Sequence, residues 1–167
     1  MARKCGIFLD GGTNIGVAVM AYELDMPLLY RETFRTSGSI GRKMMQADAL
    51  VQGLVDTWRS RKGFALIHLG FEAPFVGQGV KAGGGRIPIG IACKFEEVAD
   101  RNGLECSETI SSTMKLIVTG KGAWPKGKAK TAVQSAIFSL GYAFGGEHEA
   151  DAIGVGRVVI GNWMRGL

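Results

Sequence analysis

The sequence predicts an α/β protein of three layers, α/β/α, with helices on both faces of a mixed five-stranded sheet. Two observations carry this prediction. The first 36 residues contain three short strand-like runs separated by turn residues, which is typical of an antiparallel meander. Beyond them, strand-like apolar runs alternate with helix-periodic segments, which is typical of parallel strands joined by helical crossovers. We expect residues 1–167 to form a single domain.

The meander is predicted from the runs at 5–9, 15–22 and 28–36. The first run is apolar and ends in Asp10 and the turn sequence Gly11-Gly12-Thr13-Asn14. The second run has β-branched residues in an apolar setting, and the third mixes apolar and charged residues as a half-exposed strand does. Short turns between these runs favour antiparallel pairing.

The rest of the chain is predicted to add two parallel strands and four helices. Residues 41–61 have apolar side chains at three- and four-residue spacing, which indicates an amphipathic helix. Residues 64–71 are almost continuously apolar, as in a strand buried on both faces. A crossover helix lets this strand lie beside the first. A glycine-rich loop at 77–85, a helix at 88–101, a strand at 104–110 and helices at 126–140 and 148–164 complete the prediction.

Composition limits the function classes only weakly. The chain has 20 Lys and Arg residues against 15 Asp and Glu, and a net charge of +5 is compatible with an anionic partner such as nucleic acid. The three cysteines form no CxxC pair, so we expect a reduced, cytoplasmic setting without disulfides or zinc. The apolar run at 7–9 is too short for a signal peptide, and no run approaches the ~20 residues of a membrane span.

Three acidic residues are predicted to meet at one edge of the sheet. Asp10 ends the first strand and Glu72 follows the fourth, and the carboxyl ends of neighbouring parallel strands lie at the same edge. His148 and Asp151 share a face of the last helix with Val155, so Asp151 should point towards the sheet. For each acid alone, a solvated strand end or a first-turn position is the simpler explanation. Together, three carboxylates and an imidazole suit Mg²⁺ or Mn²⁺.

At these residues the sequence resembles the RuvC family of Holliday-junction resolvases, in the ribonuclease H-like superfamily. The resemblance is carried, in chain order, by residues 7–16 (IFLDGGTNIG), 72–75 (EAPF), 114–122 (MKLIVTGKG) and 148–154 (HEADAIG). These segments are similar to the family's first acid with its glycine-rich turn, its second acid with an aromatic, its basic segment and its closing helix. Residues 23–62 match the family poorly, as expected for a divergent, phage-type member.

The resemblance implies a metal-dependent endonuclease that cuts Holliday junctions or related branched DNA by symmetric phosphodiester hydrolysis and leaves 5′-phosphate ends. Two Mg²⁺ ions, which Mn²⁺ can replace, would be held by Asp10, Glu72, Asp151 and His148, with His148 as a fourth ligand or general base. Lys115 would contact the scissile phosphate. The residues expected to bind DNA are Phe75, Lys81, Arg86, Lys121, Lys126 and Lys128, with Phe75 stacking on an unpaired base. The helix at 88–101 would form a homodimer, whose symmetry suits a four-way junction.

Two other functions stay open on the sequence. Residues 10–13 (DGGT) also resemble the first phosphate motif of actin-like ATP-binding proteins, although these need a second domain for which 167 residues leave no room. A catalytically silent junction-binding module is the other alternative, and the acid at each expected position argues against it.

The segment 122–129 is close to a GxxxxGK[ST] phosphate loop. Ala129 replaces the hydroxyl that should bind Mg²⁺, so we reject nucleotide binding there and interpret the segment as a basic loop. The lysines of this region, including Lys130, should lie on the DNA side of the molecule. Trp124 within the loop either stacks on DNA or packs inside the protein.

Overall fold

The structure, a computed structural model, describes residues 2–74, 85–125 and 127–166. Strands β1 (Arg3–Asp10), β2 (Asn14–Ala21) and β3 (Leu28–Arg35) come first. Helix α1 (Ile40–Ser60), strand β4 (Phe64–Glu72), helix α2 (Arg86–Arg101) and strand β5 (Glu105–Thr109) follow. Helices α3 (Ser111–Thr119), α4 (Ala129–Ser139) and α5 (Glu147–Met164) come last. Among the helices in these ranges, none is long and apolar enough to cross a membrane.

The five strands form one mixed sheet in the order β3-β2-β1-β4-β5. The antiparallel pairs β1–β2 and β2–β3 confirm the predicted meander. β4 lies parallel beside β1, and β5 lies parallel beside β4. The crossover through α1 therefore brings the carboxyl ends of β1 and β4 to the same edge of the sheet.

Helices cover both faces of the sheet and enclose two hydrophobic cores. α1 and α2 pack on one face, around Trp58 and Phe95. α5 packs on the other face, with α3 and α4 against it, around Phe8 and Ile137. Neighbouring residues of β1, Ile7 and Phe8, enter opposite cores, which explains the continuous apolar run in this central strand. The predicted three-layer α/β/α architecture is confirmed.

The prediction is wrong in omitting one helix, α3, which begins directly after β5. The Thr, Ile and Val residues of this nine-residue stretch lower its intrinsic helix propensity. Tertiary packing stabilises the helix instead, because Met114 and Val118 are buried against α5. A Cβ at Gly154 of α5 would lie 2.7 Å from the Met114 sulfur, so this glycine permits the close approach of the two helices.

Predicted boundaries also shift, among them those of α2, β5 and α4. α2 begins at Arg86 and not at residue 88, and β5 ends at Thr109 because Ile110 already precedes the first turn of α3. α4 begins at Ala129 and not at residue 126. Gly127, with φ of 79°, has a left-handed backbone conformation that a right-handed helix cannot include.

His68 on β4 links the sheet to its edge strand and makes stability depend on pH. It is 7% exposed, and its Nε2 lies 2.8 Å from Ser107 Oγ on β5. Burial lowers the pKa of His68, against the opposing effect of Glu105. Below the ordinary histidine pKa of about 6.5, the unfolded chain therefore binds more protons than the folded chain. The free energy of unfolding decreases as the pH is lowered from about 6.5 to the lower pKa of His68 in the folded chain.

We expect His68→Gln to reduce this loss of stability in acid, since the variant has no imidazole to protonate. The measurement is the urea midpoint of both proteins at about pH 7.5 and about pH 5.5. If the urea midpoint changes by the same amount between the two pH values in both proteins, the prediction is contradicted.

Candidate active site

Carboxylates from three separate elements line a single pocket at the carboxyl edge of the sheet. Asp10 is the last residue of β1, Glu72 is the last residue of β4, and Asp151 belongs to the beginning of α5. The other side chains that line this pocket, called here the carboxylate pocket, are Ser111, Lys115, Ala129, Lys130, Val133 and His148. The structure thus brings together the five residues for which the sequence predicts a catalytic role.

His148 contacts Asp10 directly. Its Nδ1 lies 2.6 Å from Asp10 Oδ2, and its Nε2 lies 3.4 Å from Asn14 Nδ2. The hydrogen bond with Asp10 raises the pKa of His148, and burial acts in the opposite direction. The pair can therefore hold a proton at the wall of the pocket. Sequence reasoning noticed Asn14 only as part of the turn after β1 and missed its contact with the imidazole.

The other two carboxylates are short of compensating charge. Burial, followed by repulsion from Asp10 and Glu72, raises the pKa of Asp151 to about 7. Burial also raises the pKa of Glu72, which a hydrogen bond with Ser111 lowers in part. The positive charge of Lys115 lowers the pKa of both carboxyl groups, but both pKa values stay above their ordinary values.

This donor set suits a divalent cation. Burying several carboxylates together is costly unless positive charge compensates them, and carboxylate oxygens are the ligands that Mg²⁺ and Mn²⁺ prefer. Across residues 2–74, 85–125 and 127–166, no group of three or more His, Cys, Asp or Glu side chains is placed to hold a metal ion as it stands. The metal-binding roles of Asp10, Glu72, His148 and Asp151 stay a prediction.

Lysines from two helices border the carboxylates. Lys115 on α3 is half-buried in the pocket wall. Lys130 on α4 forms an ion pair with Glu147, with 2.7 Å between Nζ and Oε1. The hydrogen bond with Glu147 raises the pKa of Lys130, and Asp151 and Asp10 contribute to the shift. Lys130 therefore belongs to the carboxylate pocket, whereas the sequence predicts only that it lies with the other lysines of this region on the DNA side.

Ser111 is a residue of the pocket that sequence reasoning missed. It begins α3 two residues after β5 ends, at the edge where Asp10 and Glu72 lie. The sequence could have predicted this position, because the carboxyl ends of all three parallel strands meet at this edge and Ser111 is a polar residue close to the end of the third.

Glu149 holds the first turn of α5 against the sheet. It is 6% exposed, and its carboxylate accepts hydrogen bonds from Arg31 at 2.6 Å, from Thr33 Oγ1 at 3.2 Å and from the Gly145 backbone N–H at 2.6 Å. Against the effect of burial, the hydrogen bonds from Gly145 and Arg31 lower the pKa of Glu149. The anchored carboxylate fixes the end of the helix that carries His148.

Gly16 on β2 allows the same turn of α5 to approach the sheet. A Cβ at this position would lie 1.9 Å from the backbone oxygen of His148, so any other residue must displace the helix. We expect Gly16→Ala to cost about 1–3 kcal/mol of unfolding free energy, as overpacked sites do. It should also separate His148 from Asp10.

Gly12→Ala is the matched control for this prediction, because a Cβ at Gly12 meets its nearest atom at 3.5 Å, an ordinary contact distance. Urea unfolding of both variants provides the measurement. Equal stability of the two variants would show that α5 does not depend on the missing side chain at Gly16.

The residues predicted to bind DNA fall into two groups. Phe75, Lys81 and Lys126 lie outside the described residues. Arg86, Lys121 and Lys128 are exposed, at the start of α2, after α3 and just before α4. A wider cleft, lined in part by Asp10, Pro88 and Gly122, extends from the carboxylates towards α2 and the segment after α3.

The mixed sheet in the order β3-β2-β1-β4-β5, with helices on both faces, is the ribonuclease H-like fold. Among solved structures, RuvC from Thermus thermophilus has this fold, with a TM-score of 0.74 and 20% identity over 97% of this chain and 96% of that chain. A second structure, RuvC from the same organism in complex with a Holliday junction substrate, has a TM-score of 0.71 and 17% identity over 98% and 96%. No family model and no curated protein sequence matches the chain. The resemblance found in the sequence is thus confirmed at the level of the fold.

Proposed function

We propose that the chain is a metal-dependent endonuclease that cuts four-way DNA junctions in the manner of a RuvC resolvase. One observation carries the proposal: Asp10, Glu72 and Asp151 converge with His148 and Lys115 on a single open pocket. The fold supports it, because a protein of the same fold has been solved in complex with a Holliday junction substrate.

The residues of the pocket divide the chemistry between them. Asp10, Glu72 and Asp151 would hold Mg²⁺, or Mn²⁺ in its place, and the bound cations supply positive charge to the phosphate as it gains negative charge. Lys115 adds a positive charge on the wall that α3 forms. The hydrogen bond to Asp10 orients His148 and raises its pKa, which favours the role of a base that takes the proton of the attacking water over that of a ligand. Hydrolysis leaves a 5′-phosphate and a 3′-hydroxyl.

The surface around the pocket supports binding of a polyanion. Arg86, Lys121 and Lys128 are exposed and would contact DNA phosphates, together with Lys81 and Lys126. Phe75, three residues beyond Glu72, would stack on an unpaired base. A homodimer through α2, on which Ile89 is 39% exposed, would present two pockets for the two symmetric cuts.

The test is incubation of the protein with a synthetic four-way junction and with a linear duplex of the same sequence, in Mg²⁺, Mn²⁺ or EDTA. We expect paired, symmetric nicks in the junction only, and only with a divalent cation. Junction binding without nicks under every condition would support the silent module instead. ATP hydrolysis without nicks would support the actin-like alternative.

A further inference from the structure

A second groove lies on the other side of α4 from the carboxylate pocket. We call it the Trp124 groove; its lining includes Lys121, Trp124, Pro125, Lys128, Ala132 and Ser135. α4 forms a wall of both cavities, because Lys130 and Val133 line the carboxylate pocket while Ala132 and Ser135 line the groove. A DNA strand with one phosphate at the carboxylates can therefore continue past the start of α4 into the groove.

Trp124 is held in place before any ligand binds. Its indole Nε1 donates to the backbone oxygen of Lys121 at 2.9 Å and to Thr119 Oγ1 at 3.2 Å. Thr119 Oγ1 in turn donates to the backbone oxygen of Lys115 at 2.7 Å, so the ring is tied to the helix that carries a residue of the carboxylate pocket. Because the only polar atom of the indole is satisfied within the protein, the ring offers the groove its apolar surface. A ring already immobilised loses little conformational entropy on binding.

Two lysine side chains near the Trp124 ring indicate the chemical class of ligand that the groove binds. Lys121 Nζ lies over one face of the Trp124 ring, 5.2 Å from its centroid, and Lys128 is exposed at the same groove. An aromatic ring beside ammonium groups is the combination with which proteins bind single-stranded nucleic acid, since the ring stacks on a base and the cations contact phosphates. A base in an intact duplex has both faces covered by its neighbours, so only an unpaired base can stack there.

We propose that the Trp124 groove is a subsite for an unpaired nucleotide of the DNA substrate, with Trp124 as its stacking platform. This inference rests on the proposed function and adds to it a contact on the strand next to the scissile phosphate. Of the two roles that the sequence leaves open for Trp124, packing and stacking on DNA, the proposal takes stacking.

Trp163 provides a matched control for Trp124. It is 39% exposed, and Lys4 Nζ lies 4.9 Å from the centroid of its ring, so it repeats the lysine–tryptophan pair. Trp163 is near the end of α5, whose 18 residues span about 27 Å, whereas His148 is near its beginning. Lys4 likewise lies at the opposite end of β1 from Asp10. The second pair is therefore at the far edge of the sheet from the carboxylates.

The experiment compares the affinity of wild type, Trp124→Leu, Trp124→Phe and Trp163→Leu for oligothymidine, a four-way junction and a blunt duplex. EDTA is present so that no DNA is cut. We expect Trp124→Leu to weaken binding of oligothymidine by about tenfold or more and to leave duplex binding nearly unchanged. Trp124→Phe, which keeps an aromatic face, should retain most of the affinity, and Trp163→Leu should behave as wild type.

Unchanged binding of oligothymidine by Trp124→Leu would overturn the inference, and so would an equal loss on the blunt duplex. If Trp124→Leu does not fold, the test is the tryptophan fluorescence of wild type and Trp124→Phe. We expect oligothymidine to quench the emission of Trp124, which wild type has and Trp124→Phe lacks. Absence of this quenching would overturn the proposal. A variant that binds DNA normally but changes its sedimentation would assign the groove to contact with a second copy of the chain. If wild type nicks junctions while these effects are absent, only the groove assignment fails; if wild type nicks no junction, the proposed function fails.

Discussion

Asp10→Asn is expected to reduce junction cleavage by about 10³-fold while leaving junction binding close to that of wild type. The substitution keeps the size of the side chain but removes the negative charge that would hold cations and that pairs with His148, whose Nδ1 is 2.6 Å from the carboxylate. DNA phosphates are negative, so loss of one carboxylate does not weaken their binding. The measurements are the nicking rate with Mg²⁺ and the junction affinity in EDTA.

Asp25→Asn is the matched control for Asp10→Asn, because it makes the same chemical change at an exposed position between β2 and β3. It should cut junctions as wild type does. Wild-type cleavage by Asp10→Asn would remove Asp10 from the catalytic machinery. Loss of the folded state, seen by circular dichroism, would show that Asp10 serves structure and would undermine its assignment as a metal ligand.

Asp151→Asn is expected to stabilise the protein in EDTA at about pH 8 and to abolish its stabilisation by Mg²⁺. The pKa of Asp151 is about 7 in the folded chain against an ordinary 3.8, because the carboxyl group is buried and faces Asp10 and Glu72. The folded chain keeps a proton that the unfolded chain releases between these values. The cost of ionising Asp151 therefore grows as pH rises from about 4 to about 7, to an upper limit of about 4 kcal/mol, and is constant above that range.

Thermal unfolding of wild type and Asp151→Asn, with and without Mg²⁺, provides the measurement. The advantage of Asn should be full at about pH 8 and should shrink towards about pH 4. Glu149→Gln is the contrasting control, because Glu149 is a buried acid on the same helix whose carboxylate has three hydrogen-bond donors, and its substitution should destabilise the protein. An equal effect of Mg²⁺ on wild type and Asp151→Asn would contradict the metal-binding role of Asp151.

Several features of the fold could be predicted because they depend on the residues of short stretches of the chain. The apolar run of β4 and the turn after Asp10 each indicate their structure without knowledge of the rest. α3 was not predictable in this way, since its Thr, Ile and Val residues disfavour a helix and the contact of Met114 with α5 outweighs that preference. The start of α4 was misplaced because the left-handed backbone of Gly127 is not visible in an apolar pattern.

The sequence by itself determined the antiparallel meander, the placement of the fourth strand beside the first, and the placement of Asp10 and Glu72 at one edge of the sheet. Periodicity and the right-handed crossover rule act on residues close together in the chain or on whole elements, so no atomic contact was needed. Only the tertiary structure decided that Gly16 lets His148 reach Asp10, that burial raises the pKa of Asp151 and that hydrogen bonds anchor Trp124 in its groove. The first two of these properties depend on contacts within a few ångströms between residues that are far apart in the chain. Only folding brings such residues together, so the spacing of residues along the chain does not predict the contacts.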